Sequence, residues 1–542
     1  MKPLRLLIAP LAAALLITGA EAQTAADPAA GQRIRADVEF LASDLLEGRD
    51  TGSRGHEIAA SYVASRFHAL GLKPGGEKGG WYQQVPFRRA TSAAPPVVSL
   101  TTGSSRTPLT PGTDVAVRPS LVDTQRQFEA GLVFVGQGLV DRRLGLDDYA
   151  GLDARGKIVV ALSSTPKGLP SDVAAHLRSM KDDLAAQRGA VGYLELPADG
   201  PARGNAVAIA SGPVVDWIDD RGITGAGAAA RLTRIAVSEA TAARLFASSR
   251  KSFAALRGEG KGSNRVQGFD LPGRVAVQAS SVWSQFTSPE VIGLLPGSDP
   301  TLAAQHVVLT GHLDHIGVSK AAKPGEDAIN NGALDNASGI ATMLEAARAF
   351  VASGKPPRRS VLFIAHTGEE KGLLGADYFA AHPTVPIGQI VGLVNLDMPL
   401  LLYNFRDVIP FGAEHSTLAR AVADAGKSMG VAAAADPMPQ ESLFVRSDHY
   451  RFVIRGVPSV FLMTGYANGG EAKWKSFLAG VYHSPRDDLS QPIDWNAAGR
   501  FGELNYRIAR TLADADQRPM WYRGSYFGDT FGGSQPRAER QP

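Results

Sequence analysis

The chain has 542 residues, of which 44% are hydrophobic and 20% are charged, and it contains no cysteine. A chain of this length can bury the cores of two or three domains. The formal net charge of +3 gives no marked basic excess, so we expect no nucleic-acid partner. Because cysteine is absent, disulfide bonds, thiolate zinc sites and cysteine catalysis are excluded together.

The N-terminal residues carry the parts of an export signal. A positively charged start and an apolar stretch at residues 6–18 precede Ala20-Glu21-Ala22, which matches an A-x-A cleavage site. The apolar stretch is shorter than the about 20 residues that a membrane-spanning helix needs. We therefore predict a signal peptide at residues 1–22, cleaved after Ala22, and a periplasmic or secreted protein without a stable membrane anchor.

Two helical patterns are followed by a stretch of different character. Apolar residues recur at helical spacing in residues 34–45 and 59–70, and Gly71 supplies a stop for the second helix. Residues 125–275 then contain short β-like runs separated by Gly, Asp and Pro turns. This change predicts a β-rich insert between two parts of another domain.

The second half of the chain alternates between apolar strands and helices. The strand-like runs lack a period-2 alternation, as expected for strands that are buried on both faces. A helix with one apolar face follows the first of them, in SGIATMLEAARAFVASG. The alternation predicts an α/β fold, with a mostly parallel mixed sheet and helices on both faces. The runs are HVVLTGH, SVLFIAHT, IVGLVNLDM and PSVFLMTG.

Five potential metal ligands lie where apolar runs end or in a polar loop near the C-terminus. In an open α/β sheet, binding residues gather outside the carboxyl ends of the strands. Two imidazoles and three carboxylates suit zinc, and the extra carboxylate favours two ions bridged by Asp335. Each residue alone is more often a cap or turn residue, so the prediction depends on the ordered set. The set is His312, Asp335, Glu370, Asp397 and His483.

Two neighbouring carboxylates, Glu369 and Glu370, stand where a strand meets a helix. Adjacent anions destabilise each other unless a cation lies between them. One can bind a metal while the other accepts a proton from metal-bound water, which is the division of roles that a hydrolase needs. The alternative interpretation is a solvated charge pair.

Six segments resemble the signature sequences of the co-catalytic di-zinc aminopeptidase family. That family includes secreted bacterial aminopeptidases and, more distantly, glutamate carboxypeptidase and the transferrin receptor. The resemblance covers most of residues 31–98 and 285–510, and it implies the zinc exopeptidase fold. The segments are GHLDHIG, LDNASGIATMLEAAR, HTGEEKGLLGADYF, VNLDM, SDHYRF and YHSPRDD.

The resemblance implies two Zn²⁺ ions per chain and assigns their ligands. Asp335 would bridge the two ions. One ion would also take His312 and Asp397, and the other would take Glu370 and His483.

The same resemblance implies three further roles. Glu369 would be the general base. Asp314 would orient the imidazole of His312 through its other nitrogen, as residues beside metal ligands commonly do. Tyr482 would stabilise the tetrahedral oxyanion with its hydroxyl.

The insert has a resemblance of its own. DARGKIVVAL followed by QRGAVGYLEL is similar to the protease-associated domain that many relatives carry. Its role stays open between a lid that shapes substrate access and a passive insert. The expected domains are a signal peptide (1–22), a discontinuous zinc peptidase domain (31–124 and 276–513), the protease-associated insert (125–275) and a loosely ordered tail (514–542).

We therefore predict a di-zinc exopeptidase that acts on peptide substrates, an aminopeptidase in which Glu369 activates a metal-bound hydroxide. A carboxypeptidase of the glutamate carboxypeptidase type is the alternative, and it would need a cluster of arginines in the pocket. A one-zinc cyclase would not need His312. A receptor-like binding module would have lost its ligands, and all five are present here. The oligomeric state and the preferred terminal residue stay open.

Three neighbouring features are weaker candidates for the site. His315 and His366 flank the motifs, and we expect His366 to form a wall. Ser447-Asp448-His449 cannot form a Ser-His-Asp triad, because the members of such triads come from separated elements. We interpret this segment as a loop that supports the pocket.

Overall fold

The computed structural model describes residues 27–196, 206–320 and 323–540. The predicted signal peptide at residues 1–22 lies outside the described residues. Within the described part of the chain, no helix combines the length and the apolar character needed to cross a membrane.

The described residues contain 14 α-helices and 23 strands. The helices are α1 Ala30–Leu41, α2 Arg54–Ala69, α3 Ser171–Ser179, α4 Lys181–Gln187, α5 Ala206–Ala210, α6 Glu239–Leu245, α7 Phe253–Glu259, α8 Ser338–Ala352, α9 Leu374–Ala381, α10 Leu418–Ser428, α11 His449–Val453, α12 Gly470–Gly480, α13 Trp495–Asp514 and α14 Tyr526–Phe531. The strands are β1 Lys73–Pro74, β2 Tyr82–Ser92, β3 Val97–Thr102, β4 Ser105–Leu109, β5 Val115–Val117, β6 Gln125–Phe134, β7 Val140–Asp141, β8 Leu146–Asp147, β9 Ile158–Leu162, β10 Gly192–Leu196, β11 Val214–Trp217, β12 Thr233–Val237, β13 Phe269–Leu295, β14 His306–His312, β15 Gly317–Val318, β16 Ile329–Asn330, β17 Ser360–His366, β18 Ile390–Leu396, β19 Asp407–Phe411, β20 Ala432–Ala433, β21 Ser459–Thr464, β22 Trp521–Tyr522 and β23 Arg537–Ala538.

The main sheet has a parallel centre with antiparallel strands on both sides. β17, β14, β18 and β21 are parallel neighbours, in that order. β13 is antiparallel to β17 on one side, and β19 is antiparallel to β21 on the other. Every residue of the four central strands is buried, which explains why their sequences show no polar alternation. The sequence-based prediction of a mostly parallel mixed sheet is confirmed.

Helices cover both faces of this sheet. Val307 and Leu309 of β14 face a core that includes residues of α1, α2, α8 and α13. Val308, between them, faces a smaller core that includes Phe379 of α9 and Phe452 of α11. Alternate residues of one strand thus pack in opposite cores, which fixes the strand in the middle of a three-layer structure.

A second lobe is built on a sheet of its own, in which the first part of β13 pairs with β3 and β6. The other strands of this sheet are β4, β5, β9, β10 and β12. Its core is separate and includes Phe134 and Val160. The lobe's strands begin at Val97, ahead of the expected boundary at residue 125, because β3 pairs with β13 and β5 with β12. These partners are distant in sequence, so the local pattern did not reveal them.

The expectation of a loosely ordered tail is wrong for residues 519–540. β22, α14 and β23 lie there, and the side chains of Trp521 and Phe527 are completely buried. The Trp521 Nε1–H donates to the main-chain oxygen of Gly456 at 3.0 Å. The tail is polar on average, but a few aromatic residues bury enough apolar surface to anchor it.

Candidate metal centre

The carboxyl ends of three adjacent parallel strands carry much of the site. His312 is the last residue of β14, and Asp397 directly follows β18. Glu369 and Glu370 come three and four residues after the end of β17. β14 lies between the other two strands, so these side chains meet at one edge of the sheet, as expected for an open α/β fold.

His312 is buried against two carboxylates. Its Nε2 lies 3.1 Å from Asp397 Oδ1 and 3.3 Å from Asp335 Oδ1. Burial opposes the charged imidazole, but Asp397 and Glu369 outweigh it and hold the pKa of His312 well above its usual value. A side chain that attracts a proton this strongly between carboxylates occupies a position suited to a metal cation.

His483 faces the other oxygen of Asp335. Its Nε2 lies 3.3 Å from Asp335 Oδ2 and 3.3 Å from Glu370 Oε2. Asp335 therefore directs Oδ1 to His312 and Oδ2 to His483. A carboxylate whose two oxygens face two different imidazoles has the arrangement of a ligand that bridges two ions.

The structure brings all five predicted ligands together, and their charges fit divalent cations. Within the described residues, no lysine or arginine forms an ion pair with Asp335, Glu370 or Asp397. Burial and the neighbouring Asp335 raise the pKa of Glu370 to about 8. Imidazole nitrogens and carboxylate oxygens are the donor set of zinc sites without cysteine. The residues present therefore fit Zn²⁺.

Glu369 faces a cavity of about 40 Å³ that His312, Asp335, Asp397 and Tyr482 also line. A water molecule occupies about 30 Å³ in the liquid, so this space holds about one water. Asp335 and Asp397 each have an imidazole within 3.3 Å. Glu369 has no such ion pair among the described residues, and burial with Glu370 and Asp397 raises its pKa well above the usual value. Among the carboxylates that line this cavity, Glu369 is therefore the one without an imidazole partner, which suits a group that transfers protons.

Asp314 contacts the second ring nitrogen of His312. Its main-chain oxygen, rather than its carboxylate, lies 3.0 Å from Nδ1 of His312. The contact holds the Nδ1 proton and leaves Nε2 free to face the carboxylates. The Asp314 carboxylate instead accepts hydrogen bonds from the Thr51 hydroxyl at 2.8 Å and from the Glu369 main-chain N–H at 3.2 Å. It therefore fixes the loop that carries Glu369.

Sequence reasoning missed two side chains that hold the outer oxygens of ligands. Nδ1 of the buried His315 lies 2.7 Å from Glu370 Oε1, while Oε2 of the same carboxylate faces His483. The Ser447 hydroxyl donates to Asp397 Oδ2 at 2.5 Å, while Oδ1 faces His312. Both residues lie inside the quoted motifs, but a motif does not show which oxygen each one contacts.

Two buried groups shape the main chain of the site. Asp487 accepts hydrogen bonds from the N–H groups of Leu334 and Asp335, each at 2.9 Å. Arg49 is 1% exposed and has no carboxylate partner in hydrogen-bond contact within the described chain. Its guanidinium donates to the main-chain oxygens of Leu41, Leu313, Asn331 and Gly332.

Tyr482 stacks on the ring of His483, with ring centroids 3.8 Å apart and planes inclined by 28°. Burial and the carboxylates of Asp335 and Glu370 raise the pKa of its hydroxyl. The hydroxyl therefore keeps its proton and can donate a hydrogen bond into the cavity.

A larger cavity of about 730 Å³ adjoins the metal centre. Met398, Leu443, Arg446, Met463 and Tyr482 line both cavities. The larger cavity has apolar walls and a few charged groups, and its further lining includes Met438, Glu441, Glu471, Trp474, Lys475 and Leu478. A side chain attached to a group held at the metal centre could enter it directly.

His366 is turned away from the ligands. Its Nδ1 lies 2.7 Å from Oε1 of the buried Glu290, which holds the pKa of His366 above its usual value against the effect of burial. His449 packs its ring against Phe444 and Phe461. Both positions agree with the interpretation of these residues as walls and supports.

Comparisons with known proteins agree with this geometry. Residues 290–509 match peptidase family M28. A vacuolar membrane protease of Candida dubliniensis is 34% identical over 105 residues, which cover 19% of this chain and 10% of that protein. A probable zinc metalloprotease of Pyrenophora tritici-repentis is 42% identical over 67 residues, which cover 12% of this chain and 15% of that protein. The chain thus spans only a small part of these curated relatives.

One solved structure covers nearly the whole chain. The aminopeptidase from Aneurinibacillus sp. strain AM-1 aligns with 92% of this chain and 96% of its own, with a TM-score of 0.50 and 19% sequence identity. At this identity, the likeness shows a shared fold.

Proposed function

We propose that the protein is a zinc-dependent aminopeptidase that removes N-terminal residues from peptides, a proposal that the match of residues 290–509 to peptidase family M28 supports. The observation that carries the proposal is the pair of imidazoles on the two oxygens of Asp335, beside a water-sized cavity that Glu369 lines. This arrangement has the parts of a metal-dependent hydrolase.

Two Zn²⁺ ions per chain would share Asp335. His312 and Asp397 would complete the protein ligands of one ion, and Glu370 and His483 those of the other. When bound, the ions supply Lewis-acid activation of the scissile carbonyl and of a water molecule. Support comes from the division of the five ligands into two groups around the two oxygens of Asp335.

Glu369 would take the proton of the attacking water and deliver it to the leaving amine. Its lack of an ion pair and its raised pKa both suit a group that must bind and release one proton. Tyr482 would donate its hydroxyl to the oxyanion. Asp314 would position the main chain of Glu369 and the imidazole of His312 through different oxygens.

The cavity beside the centre favours an aminopeptidase over a carboxypeptidase for acidic dipeptides. Arg446 is the one arginine that lines either cavity within the described residues, and Glu441 lies 3.3 Å from its guanidinium. The cluster of arginines that a second carboxylate would require is therefore missing from this lining. The surplus of acidic groups at the centre attracts a protonated N-terminal amine, and the apolar walls favour a large apolar first residue.

We also propose that the protein is exported and that the second lobe is a protease-associated insert that shapes access to the cavity. The Ser442 hydroxyl donates to the main-chain oxygen of Ser171, at the start of α3, over 3.3 Å. Nδ1 of His176 in the same helix lies 2.5 Å from the Tyr450 hydroxyl. α3 thus packs beside the segment that carries Leu443 and Arg446, so the lobe supports a cavity wall.

A substrate panel tests the proposal. Zinc-loaded protein would be assayed on aminoacyl-nitroanilides, on the same residues with acetylated amines, and on peptides with C-terminal glutamate. We expect cleavage of free-amine substrates, fastest with leucine, methionine or phenylalanine. Release of C-terminal glutamate without cleavage of the nitroanilides would favour the carboxypeptidase. Activity that persists after chelation, with metal analysis showing a metal-free chain, would refute the zinc mechanism.

A further inference from the structure

We propose a second, structural zinc site between the two lobes, formed by Asp172, Glu414 and His415. Asp172 lies in the first turn of α3, which follows β9 of the second lobe and buries Val173 and Leu177 in the core of the main lobe. Glu414 and His415 lie in a short turn after β19, in the main lobe. Potential ligand atoms of the three residues all lie within 4.8 Å of one another. This site shares no residue with the metal centre described above.

Two of the three side chains have buried polar atoms without a partner. Oδ1 of Asp172 and Nε2 of His415 are buried, and neither has a hydrogen-bond partner. The His415 side chain is only 13% exposed, and its Nε2 lies 3.5 Å from Glu414 Oε1. Its other nitrogen, Nδ1, lies 3.3 Å from the Ser525 hydroxyl. The Ser525 contact leaves Nε2 directed at the carboxylates, as a metal ligand would be.

The negative charge of this cluster is only partly offset by the protein, through the nearby positive charge of Arg540. No lysine or arginine of the described chain forms an ion pair with the carboxylate of Asp172 or of Glu414. Arg540 approaches but donates to the main-chain oxygen of Glu414. Burial, Glu414 and the nearby Asp436 raise the pKa of Asp172 to about 7. A bound cation would remove this repulsion and give the two buried atoms a partner.

The donor set selects the kind of ion. Calcium and magnesium prefer sites built entirely from oxygen atoms. One imidazole and two carboxylates suit zinc, which accepts such mixed ligands with a water in the fourth position. Zinc bonds of about 2.0–2.2 Å would bring the ligand atoms closer than they are here, by small rotations of the side chains.

An ion at this site would add a further link between α3 and the main lobe, in whose core Val173 and Leu177 already pack. The same helix contacts Tyr450 through His176 and Ser442 through Ser171. Ser442 lies between Glu441 and Leu443, which both line the larger cavity. We therefore expect the interlobe ion to hold this cavity wall in place without taking part in the reaction.

The test counts ions and measures thermal stability in the full chain. Chelator-treated protein would be titrated with zinc chloride, and the tightly held zinc would be measured by mass spectrometry. Asp172→Asn and Glu414→Gln should each hold one ion fewer per chain than the parent and show a smaller zinc-dependent rise in Tm. Glu414 has an exposed side chain, so its variant is expected to fold. Asp182→Asn is the matched control, because Asp182 lies in the adjacent α4 and pairs with Arg234 of its own lobe.

The readout does not depend on the proposed peptidase activity, since it compares ion counts between variants and parent. Equal zinc content and equal Tm shifts in the parent and both variants would overturn the interlobe site. An equal rise in Tm with calcium would overturn the assignment to zinc. A lower ion count in Asp182→Asn as well would show a general effect of charge and also overturn it.

Discussion

Replacing Glu369 by glutamine should separate catalysis from metal binding. The substitution keeps the size of the side chain and a hydrogen-bonding group, but the amide cannot accept the proton of the attacking water. Because Glu369 has no ion pair within the described residues, both zinc ions should stay bound. We expect kcat to fall by about 10²–10⁴-fold, which corresponds to about 3–5 kcal/mol in the activation free energy.

The same variant should be more stable than the parent without metal. Burial, together with the neighbouring Glu370 and Asp397, raises the pKa of Glu369 well above its usual value, so the folded metal-free chain disfavours a charge there. Glutamine carries no charge, so the metal-free Glu369→Gln protein should melt at a higher temperature than the metal-free parent.

Glu370→Gln is the matched comparison. Oε2 of Glu370 lies 3.3 Å from His483 Nε2, and the glutamine would remove an anionic ligand at that point. This variant should lose zinc from one site, and excess zinc should partly restore its activity. The assay combines zinc content, steady-state kinetics at low and high zinc, and thermal melting of the metal-free proteins.

The reverse pattern would refute this assignment of the two glutamates. Zinc loss in Glu369→Gln, with a zinc-replete but inactive Glu370→Gln, would exchange their roles. Near-normal kcat in both variants would remove the proposed mechanism.

Three further predictions concern the surroundings of the site. His315→Ala should weaken the affinity for the zinc ion proposed at Glu370 and His483 by about 10–100-fold, because Glu370 Oε1 loses its partner. The affinity for the other ion should not change. Calorimetric titration measures both affinities, and an equal loss at both sites would contradict the prediction. Arg49→Met should lower the free energy of unfolding by about 3–5 kcal/mol, because four main-chain oxygens lose their donor. Urea denaturation measures this free energy, and a loss below about 1 kcal/mol would contradict the prediction. Burial lowers the pKa of His176 from 6.5 to about 4. As the pH drops from about 6.5 to 4, the unfolded chain binds a proton that the folded chain does not, so the free energy of unfolding falls. His176→Gln should flatten this part of the curve of stability against pH, and an unchanged slope would contradict the prediction.

The proximity of the candidate ligands could be predicted from sequence because the parallel sheet converts order along the chain into proximity. A strand that is buried on both faces is recognisable as an apolar run, and its end is recognisable as a turn. The carboxyl ends of neighbouring parallel strands must share one edge. His312 and Asp397 therefore meet although 85 positions separate them.

Atomic roles within the motifs could not be predicted in the same way. The contact of Asp314 with His312 uses a main-chain oxygen that every residue possesses, so the side chain gave no signal. The role of His315 depends on which oxygen of Glu370 it contacts. The ordered tail depends on Trp521 and Phe527 finding a distant core, which average polarity conceals. Such features depend on three-dimensional packing rather than on local pattern.

Strand β13 is shared by the two lobes, so that neither sheet is complete without it. It is 27 residues long, and it pairs with β6 in the second lobe and with β2 and β17 in the main sheet. Excision of residues 125–275 would cut this strand and remove part of its pairing with β3, so a single deletion of these residues would not remove the lobe cleanly.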